Sequence, residues 1–591
     1  MKTNITGRVK ERKKRHSVRD CSGMNKIKKI VSSRLGFALT ANIVALVAAT
    51  VFFRQYWEED DDIWISFLTE GAFGDYEPHV LFSNFIYGKL LCSLQYFMPR
   101  VRWHAVLELF FVFVISTAFI YVLGNDNRGK IISIVFLIGI VYEIYVALQF
   151  SKIPAFISTT AYIILFELVY DKEFSAKTKR FLCIIAWVCL FFAIILRIDS
   201  FLLGTLVAGV YGIVRVIREA VNREFIGNLR KYCLYFLPVL FIFCLCLLAD
   251  HVGFRDPEWN WARKYEKLNG LIVDYNHDAL DYDKHGKELA DIGVSENDAF
   301  MILTWQFADD EFMTPERIRR IAAIGPTGLQ KIDMDMLKAW VANIHETILV
   351  LNPLVMAILM ILALYIGFLI SHEGRSYNMA ITISQALLAM GVLFWYQYSG
   401  RWSHRIVYAF LLCQFVLFVY LLKQEEEIII QPTLVHCIMA VLLFALFTMR
   451  LTNEFEYQGY KRMMFDQQAL IEFMKDNKDS LFVADAFTLQ NLDKYNVFIA
   501  SEKGQFENLT MSGGSYCNSP LDKRIVRSFG YENPFMALEG HDDHVILIDN
   551  IFPDKKVQYC NEHGDGTGYQ LDKLGSVGGL DMYNIKKQED Q

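Results

Sequence analysis

Charge is scarce in this 591-residue chain: 21% of its residues are Asp, Glu, Lys or Arg, against 53% that are hydrophobic. A water-soluble protein of that length needs a more polar surface, so a soluble globule is excluded. The half of the chain that carries the candidate chemistry also lacks a Walker motif, a zinc-ligand spacing and a nucleophile elbow. There is no internal repeat and no low-complexity stretch, and the absence of a visible inverted repeat argues against many transporter folds. The eleven cysteines supply no disulfide framework. Cys183, Cys189, Cys233, Cys244, Cys246, Cys413 and Cys437 all sit in apolar runs, where a thiol behaves as a small hydrophobe. Only Cys517 and Cys560 share a polar region, and whether they pair stays open.

What the chain has instead is long apolar runs, each able to cross about 30 Å of hydrocarbon as a helix. We place spans near 36–53, 104–124, 130–148, 153–170, 181–197, 200–217, 232–249, 347–370, 379–395, 406–422 and 429–449, eleven in all. Residues 1–34 are crowded with Lys and Arg ("RVKERKKRHSVR", "NKIKKIVSSR"), which sets the N-terminus in the cytoplasm and makes 36–53 an uncleaved anchor. The chain from Met24 would itself begin with a normal basic leader, so 1–23 reads as an extension. With eleven spans the C-terminus falls outside. The loops then expected inside, "NDNRGK", "DKEFSAKTKR", "VRVIREAVNREFIGNLRK" and "SHEGRS", carry much of the basic charge between spans. "PHVLFSNFIYGKLLCSLQYF", 78–97, is interrupted by Ser83, Asn84, Lys89, Ser93 and Gln95. It reads as an amphipathic interfacial helix with Pro78 in its first turn.

The expected fold is mainly α: a polytopic transmembrane helical domain over 36–449, preceded by a basic cytoplasmic N-terminus (1–35). Its outer side carries a first loop (54–103) and a large loop (250–346). An extracytoplasmic α/β domain follows (450–591), because "LFVADAF", "HVILIDNIF" and "LDMYNIKK" read as strands alternating with helix-like "PLDKRIVRSFG" and "NPFMALEG".

Immediately after the first span stands "YWEEDDDIWIS", with Glu58, Glu59, Asp60, Asp61 and Asp62 in a row. Carboxylates crowded at an apolar boundary repel one another and are poorly solvated, which raises at least one pKa and makes a usable general base. The plainer reading is an acidic collar that stops the segment re-entering the bilayer. Outer turns supply cations: Arg197 beside Asp199 in "AIILRIDSFLL", Arg401, His404 and Arg405 in "YQYSGRWSHRIVY", and Lys152 in "QFSKIP". Arg197 and Lys152 each have a snorkelling alternative, and the Tyr and Trp residues around Arg401, His404 and Arg405 also fit an interfacial belt. Glu143, inside an apolar run, needs a cavity or a partner. "GHDDH" (His541, Asp542, Asp543, His544) reads as a surface turn rather than a metal site, since adjacent ligands cannot all converge.

A basic N-terminus, one span, an outside loop opening on paired acids, some ten further spans and an outside C-terminal domain resemble the GT-C superfamily of polytopic glycosyltransferases. Three stretches are similar to a group of uncharacterised bacterial membrane proteins regarded as glycosyltransferase-like: "DDIWISFLTEGAFGDYEPHVLFSNFIYGKLL", "LNGLIVDYNHDALDYDKHGKELADIGVSENDAFMILTW" and "GGSYCNSPLDKRIVRSFGYENPFMAL". The resemblance implies transfer of a sugar from a polyprenyl-phosphate carrier to an envelope glycan, lipid or protein on the outer face of a bacterial membrane. Asp61 and Asp62 would then be the catalytic carboxylates, with Asp60 and Glu59 as second choices. Arg197, Arg401, Arg405, His404 and Lys152 would hold the departing phosphate. No cofactor is implied; a divalent cation stays open, since GT-C enzymes differ on metal. The alternatives are a polysaccharide polymerase or ligase working through loop 250–346, a lipid-linked glycan flippase, and a non-catalytic surface protein.

Overall fold

The computed structural model describes residues 33–325, 330–371, 376–425, 432–463, 466–489, 492–540, 542–564 and 568–587. The basic leader 1–32, most of "SHEGRS", the start of the span expected at 429–449, and His541 lie outside the described residues.

Among the described residues nine helices are long and apolar enough to cross a membrane, or ten if the bent pair Met334–Leu349 and Pro353–Phe368 counts as one span. The chain is therefore a multi-pass membrane protein. The expected eleven differ at two places: the span expected at 347–370 straddles the break between Met334–Leu349 and Pro353–Phe368, which are bent by 101°. The segment expected at 130–148 is the 19-residue helix Asn127–Tyr145, which carries Arg128, Lys130 and Glu143 and is too charged to qualify on composition. It is nonetheless packed inside the bundle, because Glu143 finds a buried cation there. Helix Lys152–Tyr170 forms the axis. It is buried on nearly every side and packs against Trp103–Leu123, Ala176–Leu196, Ile198–Val221 and His404–Gln424.

The segment 78–97 does not span, but its helix starts later than Pro78 suggests. It runs Phe85–Phe97, only 13 residues, capped by the Asn84 side chain accepting from the Ile86 N–H. Residues 78–84 instead fold back over the helix. A Cβ on Gly88 would lie 1.9 Å from the Pro78 carbonyl oxygen, so that close approach requires glycine.

Beyond one end of the bundle a five-stranded sheet is built from β3 (Leu481–Ala484), β4 (Leu509–Met511), β5 (Val545–Ile548), β6 (Tyr569–Val577) and β7 (Leu580–Lys587). Its order is β4-β3-β5-β7-β6, with β3 parallel to both neighbours and β7 antiparallel to both of its own. Strands β3, β5 and β7 were legible as apolar runs; β4 and β6 were not. Segment 250–325 is helical, with Pro257–Val273 and Glu296–Leu303 its principal helices. It shares one apolar core with the sheet and with the acid-bearing helix Asp61–Glu70. Ile63, Phe67, Trp259, Tyr265, Ile302, Phe482 and Ile546 all belong to that core. Cys517 and Cys560 are both buried there and are not bridged.

Two devices join this core to the bundle. Short strands β1 (Tyr56–Trp57) and β2 (Ala147–Leu148) pair in parallel, and the Trp57 N–H continues to the Lys494 carbonyl at 2.9 Å. Arg102, fully buried, donates to Glu70 at 2.9 and 3.2 Å and to Asp493 Oδ2 at 2.9 Å, and also reaches the Asn496 carbonyl. Removing one member of such a buried group leaves the others uncompensated, at a cost of about 3–5 kcal/mol. Arg102→Gln is therefore expected to lower the thermal unfolding midpoint of the purified protein by several degrees. An unchanged midpoint would deny Arg102 this joining role.

Candidate active site

The first span ends at Phe52, β1 follows, and Asp60 immediately precedes helix Asp61–Glu70 without a side-chain capping bond. Asp61 and Asp62 occupy the first turn, where the helix dipole favours negative charge. Strand β1 holds this run against the turn before helix Lys152–Tyr170, so the five acids point in different directions.

Glu58 points into the bundle. Its carboxylate lies 2.6 Å from Lys152 Nζ and also bonds the His404 ring. The same ammonium lies 2.7 Å from Glu143, whose other oxygen accepts from Asn352 at 2.6 Å. Burial alone would push Glu58 up, but Lys152 and His404 outweigh it and hold the group down at about 2. Lys152 and His404, expected at a phosphate, are thus placed elsewhere: each holds Glu58, and neither lines the cavity described next.

Glu59, Asp60 and Asp61, together with one edge of Glu58, line a cavity of about 360 Å³ between the bundle end and the sheet domain. Asp61 Oδ2 accepts from Arg405 Nη1 at 2.8 Å, and Glu59 stands 3.9 Å from Arg405 Nε. Asp60 forms no ion pair among the described residues. Burial, with Asp61 and Glu59 close by, pushes it up to about 7. Arg197 and Arg401 line the same space. Arg197 donates to Ser151 Oγ at 2.7 Å and lies 4.4 Å from the Phe150 ring centroid, while Asp199 is exposed in the following turn. Arg401 pairs with Asp274 at 2.7 Å.

Asp62 takes a third direction. It is fully buried and does not line the cavity; its Oδ1 accepts from the Phe150 N–H at 3.0 Å and lies 2.9 Å from His104 Nε2. The structure therefore brings Asp60, Asp61, Arg197, Arg401 and Arg405 together and turns Asp62, His404 and Lys152 away. For Asp62 the reason is the helix itself, on which successive positions are about 100° apart; Lys152 and His404 are drawn off by Glu58.

The opposite wall was not anticipated. Helix Pro257–Val273 contributes Glu266, the loop after β4 contributes Gly513, Gly514, Ser515 and Tyr516, and Trp64 and Trp305 supply aromatic surface. The only signal for these residues lay in the stretch beginning "GGSYCNSP". Nothing distinguished Glu266 from its charged neighbours.

Three groups have metal-ligand geometry among the described residues. Glu58, Glu143 and His404 already surround Lys152. In the second group Asp298 is buried and bonds His563, while exposed Glu562 accepts from Ser295 Oγ. Asp62, His104 and Glu108 are buried.

No protein-family model matches the chain, and no curated protein matches it. Among solved structures, the crystal structure of ArnT from Cupriavidus metallidurans in the apo state is similar to it. The match covers 93% of this chain and 97% of that one, at 10% sequence identity and a TM-score of 0.39. That is a loose likeness, and the chemistry rests on the site's own geometry.

Glu266 offers a test of the cavity's electrostatics. It is 8% exposed, and burial, with Asp61 and Asp274 nearby, pushes its carboxyl from 4.5 to about 8. A group that deprotonates later in the folded chain than in the unfolded one costs stability as pH rises between those two values. Glu266→Gln is expected to be more stable than the wild type at pH 9, on the order of 2–4 kcal/mol. The gap should close as pH falls to 5. Parallel melting curves across that range would contradict the assignment.

Proposed function

We propose that this protein is a GT-C-type membrane glycosyltransferase that moves a sugar from a polyprenyl-phosphate donor to an envelope acceptor. The observation that carries this reading is a single one: Asp60 and Asp61, among several carboxylates, share one cavity at the end of the helix bundle with Arg197, Arg401 and Arg405. The arrangement of a basic leader, one span, an acid-bearing loop and a folded C-terminal domain supports it. The cavity end of the bundle would face the outside, as the basic loops imply.

In the proposed step the acceptor hydroxyl loses its proton to Asp60 as its oxygen bonds the anomeric carbon. The bond from that carbon to the phosphate oxygen breaks, and polyprenyl phosphate leaves with the electron pair. Arg197, Arg401 and Arg405 hold the charge that develops on the phosphate. Asp61 orients Arg405 through their 2.8 Å contact. Trp64 and Trp305 offer faces on which a sugar ring stacks.

The test uses the full chain in nanodiscs with radiolabelled polyprenyl-phosphate sugars, following release of free polyprenyl phosphate. Asp60→Asn is expected to lower turnover about a hundredfold to ten-thousandfold, the usual loss for a general base. Arg405→Ala should cost about a hundredfold or more through lost charge stabilisation. Wild-type release rates in a folded Asp60→Asn/Asp61→Asn protein would refute the mechanism. Transbilayer movement of intact lipid-linked sugar without release would favour a flippase.

A further inference from the structure

We propose that Asp62, His104 and Glu108 form a zinc site behind the cavity wall. This inference does not rest on the glycosyl-transfer reading. His104 and Glu108 stand one turn apart on one face of helix Trp103–Leu123, and Asp62 meets them from the first turn of helix Asp61–Glu70. His104 Nε2 lies 2.9 Å from Asp62 Oδ1 and 3.9 Å from Glu108 Oε1, and the three ligand atoms all fall within 4.8 Å of one another. Ligands at about 2.0–2.2 Å from a tetrahedral zinc are separated by roughly 3.3 Å, so these distances bracket the required spacing.

A second observation is independent of that spacing. Glu108 is 0% exposed, and neither of its carboxylate oxygens has a hydrogen-bond partner; Asp62 Oδ2 has none either. Buried carboxylate oxygens without partners are costly and rare. The cations of the region are engaged elsewhere: Lys152 by Glu58 and Glu143, Arg405 by Asp61, and Arg197 by Ser151. One divalent ion would neutralise both carboxylates and take up all three orphaned oxygens, with His104 Nε2 as the fourth donor.

The histidine is held as a ligand would be. Its Nδ1 lies 2.6 Å from the Tyr87 hydroxyl, and the Trp57 ring stacks on it at 5.2 Å between centroids, 16° from parallel. A hydrogen bond at the far ring nitrogen is the usual way a metal-binding imidazole is oriented. An imidazole with two carboxylates suits zinc, whereas magnesium and calcium prefer all-oxygen sets. The ion would tie the start of the acid helix to the bundle.

The test is metal analysis of the tag-free full chain, purified without chelator in detergent, beside Glu108→Gln, His104→Asn and the control Asp298→Asn. We expect about one zinc per chain in the wild type and in the control, and less than a tenth of that in the other two variants. Cobalt loaded into the wild type should show the visible absorption of a tetrahedral site, absent from Glu108→Gln. Substoichiometric metal in the wild type, or zinc retained in both Glu108→Gln and His104→Asn, would overturn the proposal, the latter marking an adventitious ion only. If the variants do not fold, the wild type decides alone: a tetrahedral cobalt spectrum supports the site, and its absence overturns it.

Discussion

The site depends on one buried ammonium. Lys152 opens the central helix of the bundle, is fully buried, and lies within 2.7 Å of carboxylates from two other segments, Glu58 and Glu143. An unpaired charge in that position would be prohibitive, and two carboxylates without the lysine would repel each other at short range. The three groups therefore fix one another, and with them the register of β1 against β2. Everything that follows Glu58 in the chain inherits that register, including which of the acids faces the cavity.

A second constraint acts from the other side. The apolar core beneath the sheet is shared by residues from the acid helix, from 250–325 and from the C-terminal strands, so none of the three is an independent appendage. Arg102 links the start of helix Trp103–Leu123 to Glu70 and Asp493, closing the two cores onto each other. The cavity lies at their meeting plane.

Two of the three arginines lining this cavity are already paired with carboxylates. Arg405 is bound to Asp61 and Arg401 to Asp274, while Asp60 has no ion-pair partner among the described residues. Under the proposed reaction, an entering phosphate would compete with those carboxylates for the guanidinium groups. Binding of an anion and release of Asp61 from Arg405 are thus coupled events within a few ångströms.

The sequence by itself determined the membrane class, most of the spans, the α/β character of the C-terminal region and the presence of a chemically unusual acid run. These follow from local properties: apolar length, the alternation of short strands with helices, and charge density beside a hydrophobic boundary. Strands β4 and β6 escaped because one is three residues long and the other is largely exposed, leaving no apolar run to find. Helix Asn127–Tyr145 showed the opposite limit, since its charges are acceptable only beside a cation nine residues past Glu143 that folds back to meet it. Tertiary structure alone decided the roles within the acid run. Five adjacent carboxylates look equivalent along the chain, but a strand followed by a helical turn sends them to different neighbours: Glu58 to a lysine, Asp60 and Asp61 to a cavity with arginines, and Asp62 to a buried histidine. Glu266 and the loop after β4 became visible only when residues more than 200 positions apart were brought to one wall, a juxtaposition that no local pattern encodes.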